Sequence, residues 1–390
     1  MNMIKPTVFR PALLLAASAC LIFAGCQKTY ETNPSQQQDV LAKKSSSKKK
    51  IGHFDTVNLV STDGSFGAAH TDPTLVNAWG IAFSSGGTPW VSSHDGHVSD
   101  IYNSEGVALG ISPVHIPSPT GTQDGEPTGV VFSASATDFP LPTGGAARFI
   151  FAGEDGVISA WNGAQGHQAF RKLTVPSSAF TGLALANNGG TNFLYAANFK
   201  ARKINVWDNN WAPVTTMPFT DHNIPMDYAP FNIQNIGGML YVAYAKVDPA
   251  TGDEDPGAGR GFVDIYRPDG TLAKRFAEHG TLNAPWGLTM APAGFFDDGD
   301  DDHDDHKLQP AILVGNFGDG RINAYSTEGK FLGQLRGAKN QALIIDGLWA
   351  LSFPPSTSTI DPNRLYFAAG PDDESKGLFG YIIKVMDNEE

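Results

Sequence analysis

A short strand-like run recurs six times along the chain, each copy built around nearly the same anchor. The copies read WGIAF from Trp79, TGVVF from Thr128, TGLAL from Thr181, FNIQN from Phe231, WGLTM from Trp286 and WALSF from Trp349. Successive copies start 49, 53, 50, 55 and 63 residues apart. A period of this size, with strands and turns inside each unit and no helical stretch, predicts a propeller or β array.

Each unit carries a second segment after the anchor, such as WVSSHDGHVSDIYNSEG from Trp90, FIFAGEDGVISAWNGAQG from Phe149 and ILVGNFGDGRINAYSTEG from Ile312. An apolar run, a Gly/Asp turn and an alternating strand make a hairpin. With the anchor strand (A), the hairpin (B and C) and a trailing strand such as Lys330–Leu335 (D), each unit holds four strands. The last unit stops at Glu390 with no room for a D strand, while Asp55–Ser61 lacks a partner ahead of the first anchor. Placing that segment as the outer strand of the last unit leaves no cut edge. The expected fold is therefore all-β: a six-bladed β-propeller of four-stranded antiparallel blades, closed by an N-terminal strand. Composition agrees, since 43 Gly and 26 Pro punctuate short strands and 41% hydrophobic residues suffice for a core.

The N-terminus carries Lys5 and Arg10, then an apolar run from Ala12 to Phe23 ending in Phe23-Ala24-Gly25-Cys26. Basic residues before a short apolar run predict an export signal too short to span a bilayer. Its end resembles a bacterial lipobox, which implies cleavage before Cys26 and acylation of that thiol; Cys20 is the weaker alternative. Residues 1–25 are read as a lipoprotein signal peptide and 26–50 as a disordered tether, rich in Gln, Ser and Lys with nothing to bury. Residues 51–390 form the propeller. The expected location is exported and lipid-anchored, at an outer membrane or cell surface rather than an inner one. Both cysteines lie in the leader, so no disulfide framework is expected.

Net charge is −13. Eight basic residues but only Glu31 and Asp39 precede residue 51, which leaves 19 basic against 38 acidic groups in the body. Such a body disfavours nucleic acid as a partner. The densest acidic run, within 297–306, interrupts the fifth unit between its A and B strands. Its carboxylates Asp297, Asp298, Asp300, Asp301, Asp302, Asp304 and Asp305 suit a hard cation such as Ca²⁺, and His303 and His306 would admit Zn²⁺. It lacks EF-hand spacing, and a self-repelling loop explains it at least as well.

A second candidate surface follows from topology, because D–A and B–C loops share one end of a propeller channel. Asn77, Glu126, Asn283 and Asp346 stand before A strands, and Asn198 and Asn316 at B–C turns, with His94, Asp95, Glu154, Asp155 and Asp319 on the same loops. Convergent oxygen ligands of this kind are what a Ca²⁺-dependent hydrolase propeller needs. Asp-Gly and Asn turns are equally what hairpins require locally. Trp286 and Trp349 near the mouth fit a stacked ligand or inter-blade packing. His167, His222 and His279 stand alone. HExxH, GxSxG and phosphate-loop patterns are absent, as is a cysteine nucleophile in the folded body.

The stretches Leu75–Phe83, Asn283–Phe295, Leu313–Tyr325 and Asp346–Phe353 resemble a family of exported bacterial β-propellers, some members of which carry PEP-CTERM sorting tails. A looser resemblance to NHL-type repeats also implies six blades. The family implies a fold and an exported location, with no catalytic residue to carry over. Two functions are expected from this sequence: a monomeric, membrane-anchored scaffold that binds a glycan, peptide or protein, or a Ca²⁺-dependent hydrolase or lactonase with its site at the channel mouth.

Overall fold

The computed structural model describes residues 51–296 and 310–385. The expected signal peptide, the tether with Cys26, and the acidic run Asp297–His306 lie outside the described residues. Six antiparallel sheets form six blades, and their A strands neighbour one another in a closed ring. Those strands are Ala78–Phe83, Pro127–Phe132, Phe180–Asn188, Tyr228–Ile236, Pro285–Ala291 and Leu348–Ser352, in blades 1 to 6.

The repeated anchor has a physical reason. In all six blades the register of the A strand against its B strand shifts at the anchor, a β-bulge that turns the strand into the channel. There the blades approach too closely for a side chain: a Cβ on Gly80 would stand 2.4 Å from Thr128 O, and one on Gly129 2.7 Å from Leu183 N. Where blade 4 has Asn232 instead, its amide Nδ2 crosses to Trp286 O at 2.7 Å. Glycine therefore holds this position in four blades, with the bridging Asn232 in blade 4 and the small Ala350 in blade 6.

The inner strands are covered on both faces by neighbouring blades. Phe149–Gly153 and Phe262–Tyr266 are buried at every position, whereas the outer strand Phe170–Thr174 of blade 2 is only half covered and carries Arg171 and Lys172. Blades 1, 2, 4 and 5 hold four strands. Blade 3 keeps three, since Pro213 and Pro218 break its outer segment, which holds on through one bridge from Pro213 to Trp207.

Blade 6 closes the ring as expected. His53–Ser61 pairs antiparallel with Leu378–Val385, from His53 opposite Val385 to Ser61 opposite Leu378. Phe54 on this strand is fully buried and stacks on Phe295 at 4.9 Å, with Phe296 edge-on at 6.2 Å. Both partners follow the A strand of blade 5, so the closing strand ties two blades together.

Candidate functional site

The end of the channel reached by the D–A and B–C loops is plugged by aromatic rings. Trp79 and Trp349 stack 3.7 Å apart, and Phe317 covers Trp349 at 3.9 Å. Phe231 and Trp286 lean on Trp349 from 5.6 and 6.0 Å. Trp349 is 1% exposed, and Trp286 donates its Nε1 to Thr181 O at 2.9 Å. Both tryptophans therefore serve packing. Further down the axis the glycine-lined space is about 20 Å³, close to the volume for one water.

Above the plug sits a ring of ionisable groups from four blades. His94, on the B–C turn of blade 1, stacks beside Trp79 at 5.2 Å. Its Nδ1 lies 3.1 Å from Asp95 and its Nε2 3.1 Å from Glu154 of blade 2. Burial of the ring opposes its charge, but the two carboxylates outweigh that and push it up to about 10. Asp95 is lowered although partial burial opposes this, because the imidazolium and the Asn77 amide favour its anion.

Asn77 links the ring to the plug. Its Oδ1 accepts from Trp349 Nε1 at 2.9 Å, and its Nδ2 donates to Glu374 of blade 6 at 2.6 Å. Glu374 is raised, chiefly by burial, with Asp95 and Glu154 adding repulsion. Glu254, on the long B–C loop of blade 4, is pushed up to about 7 by burial and then by Glu374 and Glu154. Asp372, Asp373 and Glu374 all hold left-handed backbone, with φ of 57°, 52° and 65°. Such a run costs side-chain-bearing residues roughly 1–2 kcal/mol each, a strain of the kind found where a loop must aim a functional group.

Of the residues expected at the mouth, Asn77 joins this ring together with His94, Asp95 and Glu154. Glu126 stays nearby, its carbonyl accepting from Glu154 N and its charge raising the half-buried Asp155 after burial. The others have different tasks. Asn198 ties the loop before its own A strand through Ser178 Oγ and Ala179 N. Asn316 binds Thr281 O and Asn283 N, and Asn283 Oδ1 accepts from Gly257 N. Asp346 is exposed and accepts from Asp372 N at 3.1 Å. Sequence reasoning missed Glu254 and Glu374; their one signal was their place on B–C loops. Among the described residues, no group of three or more His, Cys, Asp or Glu is placed to hold a metal ion.

No family model matches the chain. The uncharacterized protein L690 of Acanthamoeba polyphaga mimivirus is 32% identical over 345 residues, covering 84% of this chain and 85% of that protein. The uncharacterized protein R648 of the same virus is 32% identical over 343 residues, covering 84% and 80%. These relatives are viral, whereas the resemblance read from the sequence pointed to exported bacterial propellers. Among solved structures, virginiamycin B lyase from Staphylococcus aureus aligns over 85% of this chain and 99% of its own, at 13% identity and a TM-score of 0.48. A likeness of that degree carries no argument here; the propeller rests on the six sheets themselves.

Proposed function

The chain belongs to the family of the mimivirus proteins L690 and R648, and from that footing we propose that it is a binding propeller whose acidic mouth captures a cationic ligand. The observation that supports this reading is the convergence of Asp95, Glu154, Glu254 and Glu374 from four blades on one end of a plugged channel. One imidazolium, His94, faces them, so the mouth keeps a net negative charge at neutral pH. The ligand class is an amine or guanidinium group, as on a basic peptide or protein segment. Carboxylates at the rim of a partly desolvated cup attract such groups and set the on-rate.

The same reading places the body at a membrane, through cleavage after Gly25, acylation of Cys26 and the tether of residues 26–50. Its support is the basic leader and the Phe23-Ala24-Gly25-Cys26 junction. The hydrolase alternative has less behind it, because the amides of Asn198, Asn283 and Asn316 already close loops.

Calorimetric titration with an arginine-rich peptide tests the mouth. The parent protein should bind, more weakly as salt rises. Combined Glu154→Gln and Glu374→Gln should weaken binding about tenfold or more, the equivalent of about 1.4 kcal/mol. Equal affinity in parent and variant, or none in the parent, refutes the proposal.

A further inference from the structure

Blades 1 and 4 share a local design with one part exchanged. Their C strands read Val98-Ser99-Asp100-Ile101-Tyr102 and Phe262-Val263-Asp264-Ile265-Tyr266. Each blade also has an aspartate in the segment before its A strand, Asp72 and Asp221. Both cap that segment alike: Thr74 N donates to Asp72 Oδ1 at 3.0 Å, and Asn223 N to Asp221 Oδ1 at 2.8 Å.

In blade 4 a guanidinium joins the two carboxylates. Arg275, opposite Asp264 on the D strand, donates Nε to Asp264 and Nη2 to Asp221, each at 2.5 Å. In blade 1 the D strand is Val114–His115, and the register that pairs Ser99 with Val114 runs on to Pro113, which offers no donor. Among the described residues no cation pairs with Asp72 or Asp100 as Arg275 does with Asp264.

What stands in its place is a set of oxygens. Thr74 Oγ1 lies 2.6 Å from Asp72 Oδ1 and 2.9 Å from Asp100 Oδ1, and Tyr102 donates to Asp72 Oδ2 at 3.0 Å. One hydroxyl hydrogen cannot serve both carboxylates. Asp100 is 0% exposed, and its Oδ2 has no hydrogen-bond partner among the described residues. A fully buried carboxylate beside a second, half-buried one, with no counter-charge among the described residues, is costly unless something positive lies between them.

We propose that blade 1 binds a hard divalent cation, Ca²⁺ fitting best, between Asp72 and Asp100, where blade 4 has the guanidinium of Arg275. The donors are all oxygen: two carboxylates, the Thr74 hydroxyl and the Tyr102 phenol, with Asp72 and Thr74 half-buried and open to solvent for entry. Ca²⁺ accepts irregular oxygen sets completed by water, whereas Mg²⁺ demands a near-octahedral one. The cation would bind the segment that follows the closing strand to the body of blade 1, and so strengthen ring closure. This site is separate from the acidic mouth and does not depend on it.

The test uses the full chain, stripped with a chelator and titrated with CaCl₂ by calorimetry and thermal unfolding. One equivalent should bind, and at a hundredfold excess over its dissociation constant Tm should rise by about 4 °C. Asp100→Asn and Asp72→Asn should each abolish that rise. Deletion of 297–306 and the Glu154→Gln, Glu374→Gln pair should leave it intact. Should Asp100→Asn fail to fold, Asp72→Asn decides alone, since Asp72 is half-buried on a loop. No rise in the parent overturns the proposal and leaves a proton shared by the two acids. A rise that survives both aspartate changes, or is lost with 297–306 or with the mouth glutamates, overturns it too.

Discussion

Phe54→Ala probes how much of the propeller's stability passes through its closing strand. The ring is fully buried, stacked on Phe295 and met edge-on by Phe296, beyond the strand's own pairing with Leu378–Val385. Withdrawing a phenylalanine side chain from water is worth about 2–3 kcal/mol. The cavity left against two rings held by other elements adds to this, for a total loss of about 3–5 kcal/mol. Unfolding entropy near 2.1 cal/mol/K per residue gives about 0.7 kcal/mol/K for a body of about 340 residues, so Tm should fall by about 4–7 °C. Asp55→Ala, one residue on and exposed, serves as the control and should shift Tm by less than about 1 °C. Differential scanning calorimetry reads both. If the two variants unfold at the same temperature, the closing strand lies outside the cooperative unit, and the account of the ring as latched by its N-terminus fails.

Four more changes address other links. Glu254 and His94 both have folded-state pKa values above their ordinary ones, so the stability each contributes is present at low pH and lost as pH rises. For Glu254 the loss runs from about 4.5 through about 7, and urea unfolding of Glu254→Gln across that range should show a flatter profile than the parent; an unchanged slope refutes the assignment. For His94 it runs from about 6.5 through about 10, and His94→Gln should be destabilising at pH 6 with the difference shrinking towards pH 10. Gly182→Ala would place a Cβ 2.2 Å from Asn232 Oδ1 on the channel axis, and should cost about 1–3 kcal/mol by overpacking in a denaturant titration. Cys26→Ala should move the protein from membrane to soluble fractions, while unchanged fractionation and an unchanged N-terminal mass would count against the lipid anchor.

The repeated anchor was readable because it answers to one steric fact, the closeness of neighbouring A strands, and that fact recurs in every blade. The closing strand was readable from a missing partner at one end and a spare strand at the other. Blade 3 departed from four regular strands for a reason visible in its sequence, Pro213 and Pro218, yet a count of units could not say that one bridge would hold the segment. The mouth was half readable. His94, Asp95 and Glu154 sit on short hairpin turns whose place is fixed by the repeat. Glu374 reaches Asn77 across 297 residues of sequence, a proximity that only ring closure creates. Asn198 and Asn316 looked like ligands because they recur at the same turn, and they recur because each such turn has backbone groups that an amide must satisfy.

The stacked pair of Trp79 and Trp349 gives the molecule its own optical gauge. Two indoles with centroids 3.7 Å apart and planes 15° apart couple their strong electronic transitions, which should show as a paired band of opposite sign in far-ultraviolet circular dichroism. One indole comes from blade 1 and the other from blade 6, the two blades on either side of the ring's seam. The signal therefore exists only while that seam is shut. Through Asn77 the Trp349 indole is also one amide away from Glu374, so an event at the rim should alter the same band without any added label.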